Sequence, residues 1–131
     1  MNLFKNTVFL LATFSIMGLS SCKKEDCSPP PLTENIIGTW RSYLTGSAVQ
    51  FKTDGTYDDA DDALFGVVIN GEIYNYRTYV ISGNTLLLTV APSDSVIGSS
   101  AEFEVTQNEC DEIKLSVEFF GIPFIETLER R

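Results

Sequence analysis

The sequence predicts an all-β protein, an antiparallel up-and-down meander of about eight strands closed into a small β-barrel. Three observations carry that expectation. The first is period-2 alternation: Ile113, Leu115, Val117 and Phe119 alternate with Lys114, Ser116 and Glu118, and Ala101, Phe103 and Val105 alternate with Glu102 and Glu104, so one face is apolar and the other wet. The second is punctuation by turn residues roughly every ten positions, at Thr45-Gly46-Ser47, Asp54-Gly55, Asn70-Gly71, Ser82-Gly83-Asn84, residues 108–111 and Gly121-Ile122-Pro123. The third is that no apolar stripe at helical spacing follows the N-terminal segment. Further strands are predicted around residues 73–81 and 86–90, which are rich in β-branched, aromatic and leucine side chains. With so many strands in so short a chain, closure is the economical way to remove unpaired edges.

Before the strands lies a segment of another kind. Residues 1–5 carry one positive charge, Lys5, and residues 7–19 form a nearly unbroken apolar run. The run is too short for a stable membrane span and has the form of a signal-peptide core. Leu19-Ser20-Ser21-Cys22 resembles the bacterial lipobox, in which small residues admit the peptidase and a cysteine thiol takes the lipid. The resemblance implies removal of residues 1–21 and palmitate-type acylation of Cys22; the alternative is an ordinary cleavage site beside an incidental cysteine. Residues 22–31 then read as a tether, with charged Lys23-Lys24-Glu25-Asp26 followed by Ser28-Pro29-Pro30-Pro31, whose fixed φ favours an extended chain. The charged run is an imperfect version of the acidic stretch that accompanies surface display. The expected location is the outer membrane, lipid-anchored, facing the periplasm or the cell surface.

Removing residues 1–21 from 131 leaves 131 − 21 = 110, so residues 32–131 are expected to form one domain with one core. The formal charge of −9 becomes −10 once Lys5, the only charged residue removed, is gone. That balance argues against nucleic acid or an anionic membrane surface as partner, so the membrane enters only through the lipid anchor. The sequence holds no histidine. Ser-His-Asp and Cys-His catalysis, histidine zinc sites and histidine-ligated haem are therefore excluded, and neither an enzyme nor a cofactor is expected.

Once Cys22 is assigned to lipid, Cys27 and Cys110 remain. Exported chains keep disulfides. A bond between them would close a loop of 110 − 27 = 83 residues and stabilise the fold by roughly 4 kcal/mol on the chain-entropy model. The alternative is two unpaired thiols.

Ile36-Ile37-Gly38-Thr39-Trp40, at the start of the first strand, resembles the Gly-x-Trp signature of lipocalins. Residues 49–57 look like the second and third strands of the small lipocalin-like domains of bacterial lipoproteins, residues 79–88 like their mid-barrel hairpin, and residues 127–131 like their last strand. The resemblance covers residues 32–131. It implies that Gly38 and Trp40 close one barrel end, with Arg130 packed across the tryptophan as a cation-π contact and Arg131 as second choice. It also implies a small hydrophobic or amphipathic ligand inside the barrel, without catalysis. Trp40, Phe51, Tyr74, Tyr76 and Tyr79 are candidates to line such a pocket, and Arg77, among tyrosines, to neutralise an acidic head group. For the aromatics the alternative is plain core, and for Arg77 an outward, solvated position. An eight-stranded barrel has room for filling side chains or one small ligand. A filled barrel would leave a protein-interaction module, an accessory to an envelope assembly.

Two further features stand out. Asp54, Asp58, Asp59, Asp61 and Asp62 form the densest acidic cluster, a weak calcium candidate because no EF-hand register fits. Residues 58–65 read either as an insertion loop or as part of a strand. Phe119-Phe120-Gly121-Ile122-Pro123-Phe124 is an apolar turn that either caps the core or presents a sticky tip.

Overall fold

The structure is a computed structural model that describes residues 26–131 apart from Asn70 and Ser95. The cleavage site, Cys22 and the first residues of the tether lie outside the described residues, as does Asn70 of the expected Asn70-Gly71 turn.

The described chain opens with a single helical turn, α1 (Leu32–Asn35), fixed by Glu34 N–H and Asn35 N–H donating to the Pro31 carbonyl, both at 2.9 Å. Ten strands follow: β1 (Gly38–Ser42), β2 (Ala48–Phe51), β3 (Tyr57–Asp58), β4 (Val68–Ile69), β5 (Glu72–Ile73), β6 (Tyr76–Ser82), β7 (Thr85–Ala91), β8 (Ser99–Asn108), β9 (Glu112–Phe119) and β10 (Ile122–Arg130). Eight of them form one antiparallel sheet in the order β3-β2-β1-β10-β9-β8-β7-β6. A bridge between Thr56 and Thr78, with Tyr79 N–H donating to the Gly55 carbonyl at 2.8 Å, brings the two outer strands together, so the sheet is a nearly closed barrel. The meander is up-and-down: each barrel strand neighbours the next one in sequence, and β10 returns to β1. Strands β4 and β5 form a separate hairpin inserted between β3 and β6.

Three boundaries differ from those expected. The first strand begins at Gly38, because Ile36 N–H is spent closing α1 onto the Leu32 carbonyl at 2.9 Å. The strand expected at residues 73–81 is divided, since Ile73 pairs with Val68 in the inserted hairpin while β6 starts at Tyr76. The last turn consists of Phe120 and Gly121, and Pro123 stands inside β10. Proline is tolerated there because β1 pairs with β10 only at Leu128, Glu129 and Arg130, leaving the upper part of β10 without a neighbour on that side.

Phe120 and Gly121 both have positive φ, 52° and 79°. A two-residue hairpin loop with that backbone favours Asn-Gly, and an aromatic residue is strained in it. Phe120 is also fully exposed, at 104%. Replacing it, Phe120→Asn, is expected to raise stability by about 0.5–1 kcal/mol, read as a higher melting temperature. A drop would mean that the ring holds the fold together.

The interior is set by the alternation. Trp40, Phe51, Tyr57, Leu86, Leu88, Ile113, Leu115 and Leu128 are each no more than 2% exposed and make up the core of the barrel. Their outward neighbours on β8 and β9 include Glu102, Glu104 and Glu118. An apolar interior inside a charged exterior is the reverse of a membrane-spanning barrel. Phe51 stacks on Tyr57 with centroids 5.7 Å apart and meets the Tyr79 edge at 5.1 Å. Cys27 and Cys110 are disulfide-bonded, with Cα atoms 6.2 Å apart.

Candidate functional site

Because strands alternate in direction, the barrel has two distinct ends. At the first, α1 lies under the barrel and the chain is tightly closed. Trp40 is wholly buried and donates Nε1–H to the Ile36 carbonyl at 2.7 Å. The Arg130 guanidinium lies over its ring, 4.2 Å from the centroid. Arg130 also donates to the Cys110 carbonyl at 2.9 Å and to both the carbonyl and the side-chain oxygen of Asn35, at 2.7 and 2.8 Å. Asn35, 3% exposed, passes the network on by donating to Asn108 Oδ1 and to the Glu109 carbonyl, each at 2.7 Å. Gly38 is required here for two reasons: its φ is +130°, and a Cβ would meet Arg130 Nη1 at 3.0 Å. The Cys27–Cys110 bond belongs to this same end.

At the other end are the four remaining connections: residues 43–47, 59–75, 92–98 and the Phe120-Gly121 turn. The first part of the 59–75 connection, residues 59–65, folds back against the barrel mouth and is pinned by a buried ion pair. Asp59, 1% exposed, accepts Ala63 N–H at 2.7 Å and Leu64 N–H at 2.9 Å. Arg77 on β6, 8% exposed, lies 3.8 Å from the Asp59 carboxylate, donates to the Asp59 carbonyl, and pairs with Asp62 at 2.5 Å. Arg77 thus points inward, but its charge is already met by two aspartates of its own chain. The neighbouring Tyr57 hydroxyl is buried, and burial pushes its phenol well above the ordinary range.

Between that pinned loop and the β9–β10 hairpin lies a cavity of about 220 Å³. Its walls are Leu44 from the β1–β2 turn, Ala63 and Leu64 from the loop, Phe103 and Val117 from the barrel, and Phe119, Phe124, Ile125 and Glu126 from the hairpin. Phe119 and Phe124 meet edge to face at 5.7 Å. Among the described residues Glu126 is the one charged group in the wall, and it is 7% exposed. One of its carboxylate oxygens, Oε1, accepts Tyr43 N–H and Thr127 N–H at 2.9 Å and Leu44 N–H at 3.4 Å, while Oε2 accepts the Ser42 hydroxyl at 2.9 Å. The apolar turn at residues 119–124 is therefore a projecting tip, with Phe119, Ile122 and Phe124 each about half exposed.

Compared with known protein families, curated proteins and solved structures, the chain matches none. The site has to be read from its own geometry.

None of Trp40, Phe51, Tyr74, Tyr76, Arg77 or Tyr79 lines the mouth cavity. Trp40 and Phe51 are core, Tyr79 packs on Phe51 and donates its hydroxyl to the Lys52 carbonyl at 2.6 Å, and Arg77 is paired. Tyr74 is half-buried between β5 and β6, and Tyr76 at the start of β6 is exposed. The five aspartates do not converge. Asp54 accepts the Thr56 N–H and hydroxyl, which hold its carboxyl below the usual range; Asp58 pairs with Lys52 at 2.8 Å; Asp59 and Asp62 serve Arg77; Asp61 faces solvent. Among the described residues no group of three or more potential ligands is placed to hold a metal. Of residues 58–65, only Asp58 belongs to a strand; the rest is loop.

The residue that sequence reasoning missed is Glu126, and a signal for it existed. Arg130 and Leu128 face inward, and side chains on a strand repeat every two residues, so Glu126 and Phe124 had to face inward as well. A carboxylate on the inward face of a barrel strand is a placement that needs a reason.

Proposed function

We propose that this chain is an outer-membrane lipoprotein, acylated at Cys22, whose lipocalin-like barrel binds a small apolar or amphipathic ligand at its open mouth and performs no catalysis. The observation that carries this is the 220 Å³ cavity at the mouth of the barrel, walled by aromatic and aliphatic side chains with Glu126 among them. The closed end supports it too: Gly38, Trp40 and Arg130 stand together as the resemblance to lipocalins implies. Five residue steps separate Cys22 from Cys27, a reach of at most about 17 Å. Cys27 is bonded to the closed end, so the mouth points away from the bilayer and stays open to its ligand.

Native mass spectrometry of the purified protein tests the carrier. A bound small molecule that survives purification, or an apolar probe taken up in one-to-one ratio, is expected. A protein that arrives empty and takes up no probe overturns it. The anchor is tested by intact mass: a mature chain without a thioether-linked lipid on Cys22 removes both the acylation and the localisation.

A second reading rests on the rim. Leu44, Ile97 and Phe120 around the mouth are 66%, 97% and 104% exposed, a concentration of apolar surface suited to a protein partner of an envelope assembly. Phe120 does not line the cavity. If Phe120→Asn abolishes co-purification of a protein while small-molecule uptake persists, the interaction module is the working role.

A further inference from the structure

We infer that the ligand of the mouth cavity is cationic: a compact amphiphile whose ammonium or amidinium head sits on Glu126 and whose apolar body lies between Leu64, Val117 and Phe124. This rests on the reading of the cavity as a ligand site and names the chemistry that site selects. The argument begins with the hydrogen bonds of the carboxylate. Each carboxylate oxygen has about two lone-pair directions. Three N–H donors converge on Oε1, whereas Oε2 receives only the Ser42 hydroxyl. Oε2 therefore keeps an acceptor direction, in a residue that lines the cavity and is 7% exposed.

Charge follows the same direction. Among the described residues no lysine or arginine is within ion-pair distance of Glu126: Arg41 pairs with Glu129, Lys52 with Asp58, Arg77 with Asp59 and Asp62, and Lys114 with Glu112, while Arg130 lies over Trp40 at the opposite end. An anion held in a low-dielectric wall and left without a counter-ion attracts a cation far more strongly than a surface carboxylate does. The wider field agrees. The four mouth connections contain Asp59, Asp61, Asp62 and Asp94 and not one lysine or arginine. Arg77 on β6 reaches into this end, and its charge is consumed by Asp59 and Asp62. A cleft of one sign with apolar walls concentrates the opposite sign. The size of the cavity sets the limit on the body, because about 220 Å³ lies below the ~300–1,000 Å³ of ordinary ligand pockets.

The test compares three probes of nearly one shape, 2-phenylethylammonium, 2-phenylethanol and 3-phenylpropionate, by calorimetric titration of the full protein in mild detergent. The ammonium is expected to bind about tenfold more tightly than the alcohol, with the carboxylate weakest and the ammonium affinity falling as salt rises. Glu126→Gln should remove the preference, bringing the ammonium to within about twofold of the alcohol on the same variant. Equal binding of ammonium and alcohol to the unmodified protein overturns this inference alone, while the carrier reading stands. Binding of none of the three, together with an empty native mass spectrum, overturns both. The comparison on the unmodified protein needs no variant, so a Glu126→Gln chain that fails to fold leaves the inference exposed to disproof.

Discussion

Asp59→Ala is expected to lower the stability of the barrel by about 3–5 kcal/mol, because Arg77 loses one of its two carboxylate partners and two backbone N–H groups lose their acceptor. Arg77 is 8% exposed and Asp59 1%, so water cannot take over when the carboxylate is removed. Two backbone N–H groups, of Ala63 and Leu64, lose their close acceptor at the same time. Asp62 remains on Arg77, but it sits at the exposed side of the cluster and cannot reach the buried face. Urea unfolding measures the loss as a lower midpoint at unchanged slope. Adding Arg77→Met to Asp59→Ala should recover part of the stability, since the buried guanidinium that has lost its Asp59 partner is then gone. Because Ala63 and Leu64 form one wall of the mouth cavity, the single variant should also weaken uptake of an apolar probe. A loss below about 1 kcal/mol would show that the pair is solvated and does not pin the loop.

Removing the disulfide is the second large effect. Cys27→Ser with Cys110→Ser opens a loop of 83 residues, and the chain-entropy model puts the loss at about 4 kcal/mol. For a domain of this size that corresponds to a melting temperature lower by ~15 °C. Reduction of the unaltered protein should reproduce the shift. Arg130 donates to the Cys110 carbonyl and Asn108 to the Pro30 carbonyl, so the network at the closed end spans the same junction. A shift of only a degree or two would mean that these hydrogen bonds already hold residues 26–31 in place without the covalent bond.

The two ends of the barrel differ in the way the proposed binding role requires. The closed end combines the tryptophan, the arginine, Asn35 and the disulfide, whereas the mouth is built from connections with exposed apolar tips and one pinned loop. Ligand-binding segments are drawn from the less stable part of a fold, because they must open.

What was legible in the sequence is what short-range periodicity determines. Alternation along β8 and β9 gave the inward and outward faces, glycine-containing turns gave the hairpin rhythm, and the number of strands in about a hundred residues implied closure. With Cys22 set aside, the sequence left Cys27 and Cys110 either bonded or as two free thiols, and the fold decided it by bringing their Cα atoms to 6.2 Å. Other features depended on residues far apart in the chain. Asn35 and Asn108, 73 positions apart, meet only because α1 tucks under the β8–β9 turn. Whether Arg77 faced a ligand, solvent or its own aspartates turned on how residues 59–65 fold back, and no local pattern encodes the path of an irregular loop. The aromatic residues expected to line a pocket became core for a related reason: in a barrel of eight strands, side chains from opposite walls meet and fill the space. The cavity is left where β1 and β2 end early and β9 and β10 run on, a mismatch of strand lengths that only the closed sheet converts into an open mouth.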